Sequence, residues 1–75
     1  MSDLSKLPKK FGNALRDARI RAGLTQMQVA ERADLTLNYT GEIERGEKLA
    51  SLETVVRLGG ALGLSGADLL KKAGL

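Results

Sequence analysis

Glycines and short hydroxyl side chains divide this sequence into segments of helical length. Glycine adopts the left-handed backbone conformation that ends a helix, and serine or threonine accepts hydrogen bonds from the first N–H groups of the next helix. These signals predict five helices, over residues 8–22, 26–33, 37–45, 52–62 and 66–73. No stretch alternates apolar and polar residues as a half-buried strand does. We therefore expect an all-α fold, a compact five-helix bundle.

Apolar residues at helical spacing indicate which helix faces are buried. The predicted inward positions are Phe11, Leu15, Ala18 and Ala22 in the first helix, Val29 and Ala30 in the second, and Leu52, Val55, Leu58 and Leu62 in the fourth. Gly59 and Gly60 interrupt the fourth helix, where each costs about 1 kcal/mol relative to alanine. Either another helix or subunit approaches their backbone closely, or a well-packed helix tolerates them.

The absence of cysteine and histidine from these 75 residues narrows the possible functions. No disulfide or thiolate metal site can reinforce so small a core. The usual general base and the best nucleophile are also missing. We therefore expect a protein that is not an enzyme and that needs no cofactor and no metal.

Positive charge is concentrated near the N-terminus of the chain. Residues 1–22 carry six basic and two acidic side chains, whereas residues 23–50 carry three basic and five acidic ones. The net charge of +3 mildly favours a polyanionic partner. Lys6, Lys9 and Lys10, with the basic first helix, are placed to supply phosphate contacts that the acidic middle of the chain lacks.

The chain is expected to form one domain over residues 8–75, preceded by a flexible arm of residues 1–7. Pro8 suits the first turn of a helix, where its missing N–H costs nothing. No apolar run approaches the roughly 18 residues that span a membrane, and the start of the chain lacks a signal-peptide pattern. These features favour a cytoplasmic protein without a membrane partner.

The second and third predicted helices are short and joined by a tight connection, as in a helix-turn-helix. In that geometry the second helix of the pair presents its first residues to base edges in the major groove, and the first helix points its N-terminus at a phosphate. Gln26 adds an amide at that N-terminus. Asn38 suits bidentate pairing with adenine, and Leu37 is placed to contact either a thymine methyl group or a neighbouring loop.

The stretch from Phe11 to Leu70 resembles the Cro and phage-repressor (XRE) family of helix-turn-helix domains. The residues that carry the resemblance are Leu15, Arg19, Gly23-Leu24-Thr25-Gln26, Val29-Ala30, Leu35-Thr36, Tyr39, Ile43-Glu44-Arg45-Gly46, Ser51-Leu52-Glu53 and Leu62-Gly63-Leu64. The short length and the Asn38-Tyr39 pair are also similar to controller proteins of restriction–modification systems. The resemblance implies a lambda-repressor-like DNA-binding domain.

The resemblance also implies a dimeric transcriptional regulator, such as a repressor, that binds a palindromic operator in double-stranded DNA with recognition helix 37–45. It places Leu37, Asn38, Tyr39 and Glu42 at the bases. It assigns phosphate contacts to Thr25, Gln26, Thr40, Arg45 and Lys48. It further implies a partly buried ion pair between Arg19 and Glu44 that ties the first helix to the third.

The sequence departs from the family at three positions. Glu42 stands where a basic or polar residue is usual, Gly41 where serine is common, and Gly59 where a small alanine is expected. A carboxylate aimed at DNA must accept from a cytosine amino group or be held away from phosphate. Together with the acidic middle of the chain, these departures predict modest DNA affinity for each subunit.

Dimerisation is expected because one short recognition helix reads too few bases. The predicted homodimer interface consists of Val56, Gly60, Leu64 and Leu70, although some of these, Leu64 foremost, would equally well close the monomer core. The alternative function is an antitoxin or adaptor whose main partner is another protein. The acidic middle of the chain favours that alternative somewhat.

Overall fold

A computed structural model describes residues 4–75, and all regular structure in that range is helical. The elements are a 3-10 turn, Leu4–Lys6, followed by α1 (Leu7–Arg21), α2 (Gln26–Ala33), α3 (Leu37–Glu44), α4 (Leu52–Ala61) and α5 (Gly66–Lys72). The all-α, five-helix prediction is therefore confirmed. Four predicted helices end one residue earlier than expected, because their last residue serves as the C-cap: these are Ala22, Arg45, Leu62 and Ala73.

Four of the five helices begin at a hydroxyl side chain that accepts a backbone hydrogen bond. These caps are Thr25, Thr36, Ser51 and Ser65, with donor–acceptor distances of 3.0–3.1 Å. Each cap satisfies an N–H group that has no acceptor inside its own helix. Asp34 is the C-cap of α2, and its left-handed backbone (φ 57°) turns the chain sharply toward α3.

The core lies where all five helices meet, and its largest fully buried hydrophobic side chains are Leu15, Val29, Ile43, Leu58 and Leu69. Helix α1 packs against α3, α2 packs against both α3 and α4, and α5 closes the core against α4 and α1. This arrangement buries the middle and the end of α3 while leaving its first turn at the surface.

Two predicted core positions are wrong. Ala22 is exposed because it caps α1 beyond the point where the helix packs. Leu52, the first residue of α4, is 78% exposed, whereas burial on this helix begins at Thr54. The buried face of α4 consists instead of Thr54, Val55, Leu58, Gly59 and Ala61.

The N-terminal arm begins differently from the expectation. Residues 4–6 form a helical turn and Leu7 already belongs to α1. Residues 1–3 of the predicted arm lie outside the described residues, and the flexibility of the arm stays a prediction. Within residues 4–75, none of the helices has the length and apolar character needed to cross a membrane.

Three helical glycines differ in what surrounds them. A methyl group on Gly12 would collide with the backbone carbonyl oxygens of Ile43 and Glu44, so α1 and the end of α3 are in close backbone contact. A methyl group on Gly59 would lie 3.0 Å from the carbonyl oxygen of Leu64. Gly60 has no such neighbour within 4 Å. Close approach therefore explains Gly59 but not Gly60 within one subunit.

Replacing Gly12 by alanine is expected to destabilise the fold, although alanine ordinarily favours a helix. The added methyl group would meet backbone oxygens that move only if α3 moves, an overpacking that costs about 1–3 kcal/mol. Urea denaturation measures this as a fall in the free energy of unfolding. Gly60→Ala is the matched control and should stabilise the protein by up to about 1 kcal/mol. Equal effects of the two substitutions would contradict the close approach of α1 to α3.

Candidate nucleic-acid interface

The first turn of α3 presents two side chains to solvent. Leu37 is 44% exposed, and Asn38 beside it is exposed as well. Tyr39 is half-buried, with part of its ring packed against the core. Glu42, one helical turn after Asn38, is also half-buried. The predicted base-reading residues thus extend over positions 37–42 of the helix, and among them Leu37 and Asn38 are the two that are exposed.

Thr40 was predicted to contact a phosphate, and that prediction is wrong. Its side chain is fully buried, and its hydroxyl donates a hydrogen bond of 2.9 Å to the backbone carbonyl of Thr36. Thr40 shares the buried face of α3 with Gly41, Ile43 and Glu44, which lie one, three and four residues further along the helix. Thr40 therefore stabilises the start of α3 from inside.

A buried ion pair joins α1 to α3. The Arg19 guanidinium donates to both carboxylate oxygens of Glu44, at 2.7 Å through Nε and 3.2 Å through Nη2. Its Nη1 donates to the backbone carbonyl of Leu24 at 2.9 Å. Gln26 donates from its amide to Glu44 Oε1 at 3.2 Å. These contacts link α1, the loop after it, α2 and α3, with only 2% of the Glu44 side chain exposed.

The N-terminus of α2 is well formed and reaches the same surface. Thr25 Oγ1 accepts from the Gln28 N–H at 3.1 Å, and the Gln28 side chain accepts from the Thr25 N–H at 2.9 Å. This reciprocal capping leaves the N–H groups of Gln26 and Met27 as first-turn donors without an acceptor inside the helix. Such donors, at the positive end of the helix dipole, favour an anion.

The two basic residues assigned to phosphates are each paired with a carboxylate. Arg45 donates to Glu47 through Nε at 2.7 Å and through Nη2 at 3.3 Å. The Lys48 ammonium lies 3.4 Å from a carboxylate oxygen of Glu42. The hydrogen bond from Arg45, followed by its charge and that of Lys9, holds the pKa of Glu47 below its usual range, and the same hydrogen bond raises the pKa of Arg45.

Near these residues lie Lys9, which the sequence predicted to contact phosphate, and Asn13 and Arg16, which it did not single out. Lys9, Asn13 and Arg16 follow one another at helical spacing on α1 and face the end of α3 across an open polar depression. We call this depression the basin; it is lined by Lys9, Asn13, Arg16, Arg19, Gln26, Glu44, Arg45 and Glu47. The spacing of the three α1 residues was visible in the sequence, whereas their position opposite Arg45 depends on how α1 packs against α3.

The four predicted dimer residues fall into two groups. Val56 is 58% exposed and Gly60 is exposed, both on α4. Leu64 and Leu70 are half-buried and pack against the core, so each offers only part of its surface to another subunit. Three residues outside the predicted interface, Leu49, Leu52 and Leu75, are more than half exposed and line one apolar groove.

The chain matches the family model described as "Helix-turn-helix domain" over residues 10–71. It is similar to control protein C.BamHI of Bacillus amyloliquefaciens, with 34% identity over 61 residues that cover 80% of this chain and 75% of that protein. Across the curated relatives that it matches, the chain spans from 37% to 75% of the relative's own length.

Two crystal structures are similar to this chain in fold and sequence. The clp gene regulator ClgR from C. glutamicum superimposes with a TM-score of 0.85 at 38% identity, covering 91% of this chain and 88% of that one. The restriction-modification controller protein C.AhdI from Aeromonas hydrophila gives a TM-score of 0.80 at 35% identity, covering 83% of this chain and 94% of that one. The names of these proteins describe regulators and controllers, and none describes an enzyme.

Glu44→Gln is expected to lower the free energy of unfolding by about 3 kcal/mol or more. The substitution leaves the mostly buried Arg19 guanidinium without its counter-charge, and breaking a buried pair in this way is strongly destabilising. Glu47→Gln is the matched control, because it removes the same charge from an exposed arginine pair and should leave the urea midpoint nearly unchanged. If both variants unfold at the wild-type midpoint, the Arg19–Glu44 pair does not hold α3 in place.

Proposed function

This chain belongs to the helix-turn-helix domain family of XRE-like regulators, and from that membership we propose that it binds specific double-stranded DNA as a dimeric transcriptional regulator. The observation that carries the proposal is the exposed first turn of α3 beside the capped N-terminus of α2. A groove-binding helix needs a free leading turn, and a backbone-binding helix needs free N–H groups. The hydrogen bonds of Glu44 with Arg19 and Gln26 fix the orientation of α3 relative to the start of α2.

In this proposal Leu37 and Asn38 read the bases. The Asn38 amide can donate to and accept from one adenine edge, and Leu37 can pack against a thymine methyl group. Tyr39 and Glu42 lie at the margin of the contact, since both are half-buried. Glu42 then either accepts from a cytosine amino group or stays paired with Lys48.

Phosphates are held on both sides of the base-reading turn. Thr25 and Gln26 would bind one phosphate together with the free N–H groups of α2. Arg45 and Lys48, beyond the end of α3, would bind phosphates further along the same groove, once their guanidinium and ammonium groups turn from Glu47 and Glu42. These contacts supply affinity that does not depend on sequence.

The proposed homodimer uses the exposed apolar side of α4. Val56 and Leu52 lie one helical turn apart there, with Gly60 a further turn along. A second copy is the occupant we propose, because a two-fold dimer presents two α3 helices to half-sites about one turn of DNA apart. Leu64 and Leu70 contribute their exposed edges. The operator is then palindromic.

Selection of preferred sites from random double-stranded DNA tests the function. A palindromic consensus, bound more tightly than a scrambled duplex at both low and moderate salt, is the expected result. Weak and uniform binding that disappears at moderate salt would instead point to a purely electrostatic interaction. In that outcome the regulator proposal fails, and an antitoxin or adaptor whose partner is a protein becomes the better explanation.

Asn38→Ala and Gln26→Ala are expected to affect DNA binding in different ways. Asn38→Ala should relax the preference at one or two base positions and weaken binding to the selected site by about 1–3 kcal/mol. Gln26→Ala should weaken binding to all sequences alike, because its expected contact is a phosphate. Titration of each variant with the selected duplex and its single-base variants separates the two patterns. Identical behaviour of both variants would contradict the proposed docking.

Val56→Asp is expected to shift the protein toward monomer in sedimentation equilibrium, because it places a charge on the proposed apolar interface. Ile20→Asp is the matched control, since Ile20 is similarly exposed but lies on α1. Circular dichroism should show unchanged helix content in both variants, because neither side chain is buried. Equal association of the two variants would place the dimer interface elsewhere.

A further inference from the structure

We propose that the basin between α1 and the end of α3 binds a DNA phosphate, and that Glu47 competes with this phosphate for Arg45. The inference rests on the proposed function and deepens it, because it assigns phosphate contacts to α1 residues and gives a carboxylate a role in setting affinity. The residues that carry it are Lys9, Asn13, Arg16, Arg45 and Glu47.

The charges in the basin do not cancel. Arg19 is neutralised by Glu44, and Arg45 is neutralised by Glu47. Lys9 and Arg16 form no ion pair within residues 4–75, although the Lys9 ammonium donates to the backbone carbonyl of Arg45 at 3.3 Å. Two cations therefore face this depression without a carboxylate of their own, and an anion is the ligand that such a site favours.

The basin also has the size and lining that a phosphate group requires. Its volume is about 560 Å³ and it is open to solvent, so a phosphate group can enter it. Asn13 and Gln26, which both carry side-chain amides, line it as well. Because Gln26 also begins α2, a DNA strand held at that helix end would run past the mouth of the basin.

Glu47 already binds the Arg45 guanidinium group that a phosphate would use. Its two carboxylate oxygens accept from Nε and Nη2 of Arg45, the forked arrangement in which arginine also binds two phosphate oxygens. The Nε and Nη2 donors cannot serve both anions in this geometry. A phosphate that takes this Nε–Nη2 edge of Arg45 therefore displaces the carboxylate, and breaking the Arg45–Glu47 pair weakens binding to every DNA sequence.

Gly41 lies beside the same guanidinium group. A methyl group at position 41 would lie only 2.8 Å from Nη1 of Arg45, at the flexible end of that side chain. The space at Gly41 therefore accommodates the guanidinium in the position in which it meets Glu47.

Binding of the whole chain to a short duplex of mixed sequence, followed by fluorescence anisotropy, tests the competition. Glu47→Gln should bind about three- to tenfold more tightly than the wild type, because no ion pair with Arg45 has to be broken when a phosphate binds. Asp34→Asn is the matched control. It removes the same charge from another exposed arginine pair, with Arg57 at 3.4 Å, at the opposite end of α2. Asparagine tolerates the left-handed backbone there, and the affinity should change less than twofold.

The effect of Glu47 should depend on Arg45. In an Arg45→Gln background, Glu47→Gln is expected to change the affinity for the mixed duplex less than twofold, because the competition no longer exists. An equal gain in both backgrounds would show that Glu47 acts only through its general negative charge. That result would overturn the competition.

The basin itself is tested by the salt dependence of binding. Arg16→Gln should weaken binding to the mixed duplex and reduce the slope of log K against log salt by about one, as expected for the loss of one phosphate contact. Arg21→Gln is the control on the same helix, because Arg21 pairs with Asp17 and lies outside the basin. Equal slopes for the two variants would overturn the phosphate site.

The outcomes separate this inference from the proposed function. A wild-type protein that selects no preferred sequence from random DNA contradicts the regulator proposal, yet the variant comparisons with the mixed duplex still decide the inference. Conversely, if the protein selects a clear operator but Glu47→Gln and Asp34→Asn change the affinity for the mixed duplex equally, only the inference is overturned. If neither the wild type nor Glu47→Gln binds the mixed duplex, the basin is not a phosphate site.

Discussion

The buried ion pair between Arg19 and Glu44 is the interaction on which the rest of this surface depends. A carboxylate that is almost completely buried must be paired, because an isolated buried charge is strongly destabilising. Arg19 satisfies both of its oxygens and also the backbone carbonyl of Leu24, while Gln26 adds a third donor. Three helices therefore share one polar centre, and the direction of α3 follows from it. Apolar packing alone would tolerate small rotations of α3 that this centre does not.

The surface around that ion pair carries basic side chains that attract a polyanion and carboxylates that pair with some of them. Basic side chains that suit a polyanion are present, but Arg45 and Lys48 are engaged by Glu47 and Glu42 in the free protein. Lys9 and Arg16 approach the same region from α1, a helix outside the helix-turn-helix itself. We expect these pairs to keep the DNA affinity of one subunit modest, as the acidic middle of the chain also predicts. In the proposed dimer, two half-sites would compensate for weak contacts in each.

Much of the fold was predictable because its signals are local. Thr25, Thr36, Ser51 and Ser65 cap the helices that they were predicted to cap, since a cap depends only on residues within one turn. The family was predicted from residues spread along the chain, and the family match and the relatives confirm it. The errors occurred where position along a helix matters: Leu52 was assigned to the core and Thr40 to the surface. Helical periodicity identifies which face of a helix is apolar, but not which part of that face the neighbouring helices cover.

The sequence by itself determined the five helices, the starts of the last four and the exposed turn at Leu37 and Asn38, because capping and periodicity act over a few residues. Only the tertiary structure decided which charges meet. Arg16 faces the end of α3, and Gly12 permits the backbone contact that brings α1 there, through packing between residues about thirty positions apart. Such contacts leave no local pattern, since any basic residue on α1 would look the same in the sequence. Arg45 and Glu47 are only two positions apart, yet their pairing becomes visible only once side-chain positions are known.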